Sequence, residues 1–190
     1  RGLPGQVATL ILPADVSWSE GATPYPPLPQ PQPPAADSAT VETVAEAIRT
    51  GAKTALLLGG RALRAPALEA AGRLAAHCGV TLLAETFPTR LERGAGLPPV
   101  ERIAYLAELA TLQLSAFDQL ILVDAKAPVS FFAYPGKPSY LVPDTCTLHT
   151  LATPEQDSLA SLEALVQALG AGTAEPPRQP AARPARPRGK

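Results

Sequence analysis

Residues 53–85 read KTALLLGGRALRAPALEAAGRLAAHCGVTLLAE and set the architecture of the chain. The run 55–58 is short, apolar and uninterrupted, which is typical of a strand buried on both faces of a parallel sheet. A glycine pair ends this strand, and Pro66 suits the first turn of a helix, where a missing N–H costs no hydrogen bond. Residues 80–84 are again apolar and form a second strand. The stretch therefore predicts a right-handed β-α-β unit.

The helix of this unit has one apolar side and one polar side. The apolar side carries small and apolar residues at helical spacing: Leu63, Ala67, Ala70, Leu74 and Cys78. Glu69, Arg73 and His77 form the polar stripe on the other side. Gly79 ends the helix, as glycine commonly does. We expect this helix to cover one face of the sheet.

Three further helices are predicted from apolar periodicity. The first is capped by Asp37 or Ser38 and ends at Gly51, the second opens at the two prolines 98–99, and the third is capped at residues 157–158. Their buried sides are expected to hold Val41, Val44, Ala45 and Ile48 in the first, Ile103, Leu106, Ala110 and Leu114 in the second, and Leu159, Leu162, Leu165, Val166 and Leu169 in the third.

Three more strands are predicted between and after these helices. Residues 119–124 form a third core strand that ends in an acid, and 139–142 and 146–151 form two short strands. Strands that alternate with helices are typical of a parallel sheet covered on both faces. We therefore expect an α/β fold, a Rossmann-like three-layer domain with a mostly parallel sheet.

The ends of the chain differ in composition from its middle. Residues 6–12 are strand-like, and a strand so near a terminus needs neighbours, so residues 1–20 are interpreted as the end of a preceding domain. Residues 21–36 are a proline-rich linker, and 37–170 form the ordered domain. Residues 171–190 are a Pro/Arg-rich linker or disordered tail, with a solvated basic run at Arg178, Arg183, Arg186, Arg188 and Lys190. Because the chain starts with Arg1, we interpret it as a piece of a longer protein.

Composition excludes several functional classes. The chain has 16 Lys and Arg against 17 Asp and Glu, so we expect no bulk attraction to nucleic acid. No apolar run is long enough to span a membrane, and no signal peptide is visible, so no membrane association is expected. Cys78 and Cys146 are expected to be reduced thiols, which predicts a cytoplasmic location. These cysteines and the two histidines, His77 and His149, are not closely paired, so no metal cluster is expected.

Polar residues follow the predicted core strands at their carboxyl ends, where open α/β sheets bind ligands. They are Gly59, Gly60 and Arg61 after the first strand, Glu85 and Arg90 after the second, and Asp124 and Lys126 after the third. The glycines would let a diphosphate approach the backbone, the arginines would neutralise its charge, and Glu85 would accept a ribose hydroxyl. The candidate cofactor-binding residues are therefore Gly59, Gly60, Arg61, Glu85 and Arg90.

A structural alternative competes with this nucleotide site. The sequence GGRALR at 59–64 lacks the third glycine of the G-x-G-x-x-G fingerprint. A tight turn from strand to helix requires glycine equally well, and the missing glycine favours that interpretation. No P-loop and no G-x-S-x-G nucleophile elbow is present in the sequence.

Three segments resemble a known enzyme family. Residues 5–16, GQVATLILPADV, resemble the G-P-V-x-x-x-I-P-x-D-V close of the pyrimidine-binding domain in thiamine-diphosphate-dependent enzymes. The run 56–60, LLLGG, resembles the start of the central domain in acetolactate synthases and benzoylformate decarboxylases. Residues 131–138, FFAYPGKP, resemble the segment after the third central strand. The resemblance covers roughly residues 5 to 170.

The resemblance implies that residues 1–20 end a pyrimidine-binding domain and that 37–170 form a central Rossmann-like domain. It implies an acetolactate synthase-like parent enzyme that uses thiamine diphosphate and Mg2+ for carboligation or decarboxylation of a 2-oxo acid substrate. The family's activating glutamate and its Gly-Asp-Gly…Asn magnesium segment lie in other domains, so this segment alone should not catalyse. Its partners would be those domains, in a homodimer or homotetramer. The alternative is a stand-alone nucleotide-binding or purely structural module.

Two departures bear on FAD, which some synthases of this family hold. Residues 87–90, FPTR, replace the glycine-rich loop of the flavin-containing branch, and 153–157, TPEQD, replace the acidic D-x-D-P-type segment that often follows the last strands in the family. The resemblance therefore favours the decarboxylase-like branch without flavin, and we expect no FAD.

Overall fold

Five parallel strands form a sheet with the order β3-β2-β1-β4-β5. The computed structural model describes residues 2–21, 23–133, 135–181, 185–186 and 188–189. The strands are β1 (Thr54–Leu58), β2 (Thr81–Ala84), β3 (Glu101–Arg102), β4 (Gln119–Val123) and β5 (Thr147–Ala152). The helices are α1 (Ala14–Trp18), α2 (Ser38–Arg49), α3 (Ala65–Cys78), α4 (Ala107–Leu114) and α5 (Ser158–Ala168), with a 3-10 helix at Gly60–Leu63.

Helices cover both faces of this sheet. β1 and β4 are buried at every residue, and alternate side chains point to opposite faces. Leu56, Leu58, Ile121 and Val123 pack in one core cluster with α2, α3 and α5. Ala55, Leu57, Leu120 and Leu122 pack in the other with α4. Both faces are apolar because both are covered, and the predicted α/β Rossmann-like three-layer fold is confirmed.

The predicted helix ends are confirmed at several points. The Asp37 carboxylate accepts a hydrogen bond from Thr40 N at 2.7 Å and caps α2, and Asp157 accepts one from Ala160 N at 3.0 Å and caps α5. Pro66 lies in the first turn of α3. Gly79 ends α3 in the left-handed region, with φ 74°.

The helix predicted to open at residues 98–99 begins later than expected. Glu101 and Arg102 instead form β3, which pairs with Leu83 and Ala84 of β2. α4 begins at Ala107, so Leu106 is its N-cap residue and is 56% exposed. Consecutive prolines disfavour helical backbone at the first of them, and the open edge of β2 offers hydrogen bonds to an extended chain.

Two predicted strands are absent from the described residues. Residues 139–142 contribute only an isolated bridge, in which Tyr140 pairs with Val129. Residues 6–12 are exposed and belong to no strand, although their sequence is strand-like. Apolar alternation makes a strand only where another strand supplies hydrogen-bond partners. Residues 14–18 form α1, which buries no residue.

The segment after α5 is attached to the domain as far as Gln179. Ala171 is buried, and Gln179 exchanges backbone hydrogen bonds of 3.0 and 2.9 Å with Gly96 and Leu97. Arg178 binds the Glu69 carboxylate of α3 at 2.7 Å. The domain boundaries named above stay predictions. Four residues used in the sequence analysis lie outside the described residues: Arg1, Tyr134 of the segment 131–138, and Arg183 and Lys190 of the basic run.

The two cysteines lie on opposite sides of the sheet. Cys78 packs against the α2-α3-α5 cluster, whereas Cys146 is buried in the α4 cluster. Both cysteines are free thiols. Within the described part of the chain, no helix has the length and apolar character needed to cross a bilayer.

Candidate functional site

The order in which the chain adds strands to the sheet reverses between β1 and β4. From β1 the chain builds outward to β2 and β3, and it then returns to the other side of β1 to add β4 and β5. Ligands of open α/β sheets bind at the carboxyl ends of the two strands beside such a switch point. A cleft of about 720 Å³ opens at this position. Gly60, Arg61, Glu85 and Asp124 are among the residues that line it.

Asp124 lies at the centre of this arrangement. It directly follows β4, is 8% exposed, and has a φ of 52°, a left-handed conformation that aspartate adopts more readily than most side chains. Its Oδ2 atom accepts a hydrogen bond from Arg61 N at 2.7 Å and lies 3.9 Å from Arg61 Nε. The carboxylate therefore bridges the two central strands at their carboxyl ends.

The glycine pair is required by the position of Asp124. A Cβ atom on Gly60 would lie 2.6 Å from both carboxylate oxygens of Asp124, and Gly60 has a φ of 42°. A Cβ atom on Gly59 would collide with the backbone oxygen of Asp124. Both positions thus need glycine because another part of this chain comes close to them.

Glu85 is the second carboxylate at this turn. It directly follows β2 and accepts a hydrogen bond from Gly60 N at 3.4 Å. Burial raises the pKa of Glu85; the Gly60 N–H lowers it in part, and the Asp124 charge raises it further. Burial also raises the pKa of Asp124, against the opposing effect of the Arg61 N–H and guanidinium. Both carboxyl groups therefore keep a proton to a higher pH than free carboxyl groups do.

A third carboxylate caps the start of α3. Glu92 Oε2 accepts a hydrogen bond from Ala65 N at 2.7 Å. Its other oxygen binds Arg90 Nη2 at 2.9 Å. Arg90 is therefore engaged by Glu92 and does not line the cleft. Of the residues predicted for the site, Gly60, Arg61 and Glu85 line the cleft.

Other residues of the cleft were not among the predicted site residues. Phe87 stacks edge-on against Phe131, with ring centroids 4.6 Å apart, and Tyr105 packs beside both. Arg64 lines the cleft, and its Nη1 atom is buried without a hydrogen-bond partner in the described part of the chain. The signal for Asp124 was its place directly after a core strand, and Phe87 likewise follows β2 closely.

Comparison with known proteins relates the chain to one third of a longer protein. It is 49% identical over 171 residues to "Putative acetolactate synthase large subunit IlvX" of Mycobacterium tuberculosis. The match covers 90% of this chain and 33% of that protein. No family model matches the chain.

Two solved structures share the fold. One is a "putative thiamin diphosphate-dependent enzyme" from Mycobacterium smegmatis, with a TM-score of 0.57, 20% identity, and coverage of 87% of this chain and 34% of that one. The other is the thiamine diphosphate-dependent 4-hydroxybenzoylformate decarboxylase of Rhodococcus jostii RHA1. Its TM-score is 0.55 at 15% identity, with coverage of 93% of this chain and 33% of that one.

The resemblance to a domain of thiamine-diphosphate-dependent enzymes is confirmed. The chain spans about one third of the length of the proteins it matches.

The residues around the cleft do not form a metal centre in the part of the chain that the structure describes. There, no group of three or more His, Cys, Asp or Glu side chains is arranged to hold a metal ion. The Glu85 and Asp124 carboxylates instead accept backbone N–H groups of the chain. A diphosphate would need those same N–H groups, so the residues at the turn do not fit a dinucleotide in this arrangement.

Proposed function

We propose that this chain is the central domain of an acetolactate synthase-like, thiamine-diphosphate-dependent enzyme that acts on 2-oxo acids by carboligation or decarboxylation. The observation that carries the proposal is the 49% identity over 171 residues to one third of a protein named as an acetolactate synthase large subunit. Thiamine diphosphate and Mg2+ would be bound by domains outside these 190 residues.

In this proposal the domain acts as a scaffold, and the chemistry takes place elsewhere. The sheet is buried on both faces, and the acidic groups at its switch point are used in hydrogen bonds within the chain. The other domains would hold thiamine diphosphate, which would supply the chemistry for cleaving or joining a carbon–carbon bond next to a ketone. The chain's own contribution is to hold the flanking domains at a fixed separation.

The other domains of the same enzyme are the proposed partners. Leu106, Leu109 and Leu112 form an apolar outer side of α4, and Leu112 is 70% exposed. The segment 7–18 also exposes large apolar side chains, among them Val7, Leu10, Ile11 and Trp18. Apolar surface of this kind is typical of an interdomain contact. We further propose a homodimer or homotetramer in the cytoplasm, with no nucleic-acid or membrane partner.

Activity assays on two forms of the protein test the proposal. The parent chain, with the sequence on both sides of these residues, should release carbon dioxide from pyruvate or benzoylformate when thiamine diphosphate and Mg2+ are supplied. Residues 1–190 alone should show no turnover under the same conditions. Sustained turnover by residues 1–190, or a folded parent chain that turns over no 2-oxo acid in either assay, would contradict the proposal.

A further inference from the structure

We propose that the chain's own carboxylates occupy the anion site at the β1/β4 switch point, so that this domain excludes dinucleotides such as FAD and mononucleotides such as ADP. In this inference Asp124 takes the place that a diphosphate takes in nucleotide-binding α/β folds. The inference does not depend on the proposed catalytic activity of the parent protein.

The first support is the use of the N–H groups at the glycine turn. In nucleotide-binding folds the diphosphate is held by backbone N–H groups where the first strand passes into its helix. Here the Gly60 N–H donates to Glu85 and the Arg61 N–H donates to Asp124, the latter at 2.7 Å. Both donors are therefore already paired with negatively charged groups of the chain.

The same holds at the start of α3. Ala65 N donates to Glu92 at 2.7 Å, and the next residue, Pro66, has no N–H to offer. Three carboxylates from three different segments, Glu85, Glu92 and Asp124, thus cap the donors in this region. A carboxylate accepts hydrogen bonds from such donors and is stabilised by the positive end of the helix dipole, as a bound phosphate would be.

The second support is steric and electrostatic. The Asp124 carboxylate lies so close to Gly60 that a Cβ atom on this glycine would be only 2.6 Å from both carboxylate oxygens. A phosphate needs close approach to that same glycine backbone. A diphosphate would therefore collide with Asp124, and the negative charges of Asp124 and Glu85 would repel it.

The third support is that the predicted cationic partners are engaged. Arg61 lies 3.9 Å from Asp124 and donates a hydrogen bond to the Gln156 carbonyl oxygen. Arg90 pairs with Glu92 at 2.9 Å. Both guanidinium groups are thus engaged by groups of the chain itself.

Calorimetric titration of residues 1–190 with inorganic pyrophosphate, ADP and FAD tests this inference. The unchanged chain should bind none of the three at millimolar concentration, and it should purify without a flavin spectrum. Asp124→Gly removes the carboxylate and tolerates the left-handed backbone, so this variant should bind pyrophosphate at least about tenfold more tightly than the parent, a gain of about 1.4 kcal/mol. The matched control is Asp144→Gly, which removes an exposed carboxylate elsewhere and should leave pyrophosphate binding unchanged.

Saturable ADP or FAD binding by the unchanged chain would overturn the inference. A folded Asp124→Gly variant without any gain in pyrophosphate affinity would also overturn it. If that variant does not fold, amide hydrogen exchange on the unchanged chain decides. The Arg61 amide should be protected without ligand, and ADP should not change its exchange rate. Fast exchange at Arg61, or protection that appears only with ADP, would show that Asp124 does not hold the site.

Discussion

Arg61 N, at the start of the turn after β1, donates a hydrogen bond of 2.7 Å to the carboxylate of Asp124, which follows β4. The two residues are 63 positions apart in the sequence and follow the neighbouring strands β1 and β4. Their contact places a carboxylate of the chain itself at the switch point of the sheet. It explains why the turn needs glycine, and it removes the donors that a bound diphosphate would use.

Replacement of Leu57 by alanine should destabilise the domain by roughly 2–5 kcal/mol, because it removes a buried side chain and leaves a cavity. Leu57 is 1% exposed in the middle of β1 and packs in the α4 cluster. Urea denaturation measures the change in the free energy of unfolding. Leu112→Ala removes the same side chain from an exposed position and should change this free energy by less than about 0.5 kcal/mol. Equal unfolding midpoints for the two variants would mean that β1 is misassigned.

Replacement of Gly60 by alanine should destabilise the domain by about 1–3 kcal/mol, because the new Cβ atom meets the Asp124 carboxylate in addition to the strain of a positive φ. Gly51→Ala is the matched control: Gly51 also has a positive φ, but a Cβ atom there would meet nothing within 4 Å. Thermal and urea unfolding should therefore show a larger loss for Gly60→Ala. A loss no greater than that of Gly51→Ala would show that the close contact with Asp124 does not form.

Replacement of Asp124 by asparagine should change how stability depends on pH. Burial raises the pKa of Asp124 in the folded chain above its unfolded value. The native state therefore binds the proton more readily than the unfolded state, and this contribution to stability is present at low pH and is lost as pH rises through the folded pKa. Asparagine keeps an oxygen acceptor for Arg61 N and tolerates the left-handed backbone, but it carries no charge.

Urea unfolding of both chains between about pH 4 and about pH 7 tests this expectation. The stability of the parent relative to Asp124→Asn should fall as the pH rises. A parent chain that gains stability over Asp124→Asn with rising pH would contradict the assigned direction of the pKa shift.

The local elements of the fold were predictable from the sequence because their signals lie within a few residues of each other. The short apolar runs at 55–58 and 119–123 are strands buried on both faces, as their composition indicated. The Asp37 and Asp157 caps, and the glycine that ends α3, depend on contacts within one turn of helix. Neighbouring residues carry the signals for these features, although the strands also need partner strands for their hydrogen bonds.

The remaining features depend on contacts between distant parts of the chain. β3 forms in place of a helix because the edge of β2 offers it hydrogen-bond partners, and residues 6–12 form no strand because the described chain offers them none. The sequence placed Gly60, Glu85 and Asp124 at strand ends, but it could not show that the two carboxylates turn inward to the glycine backbone. Only the packing of β1 between β2 and β4 brings those groups together, because it places the ends of three strands at one edge of the sheet.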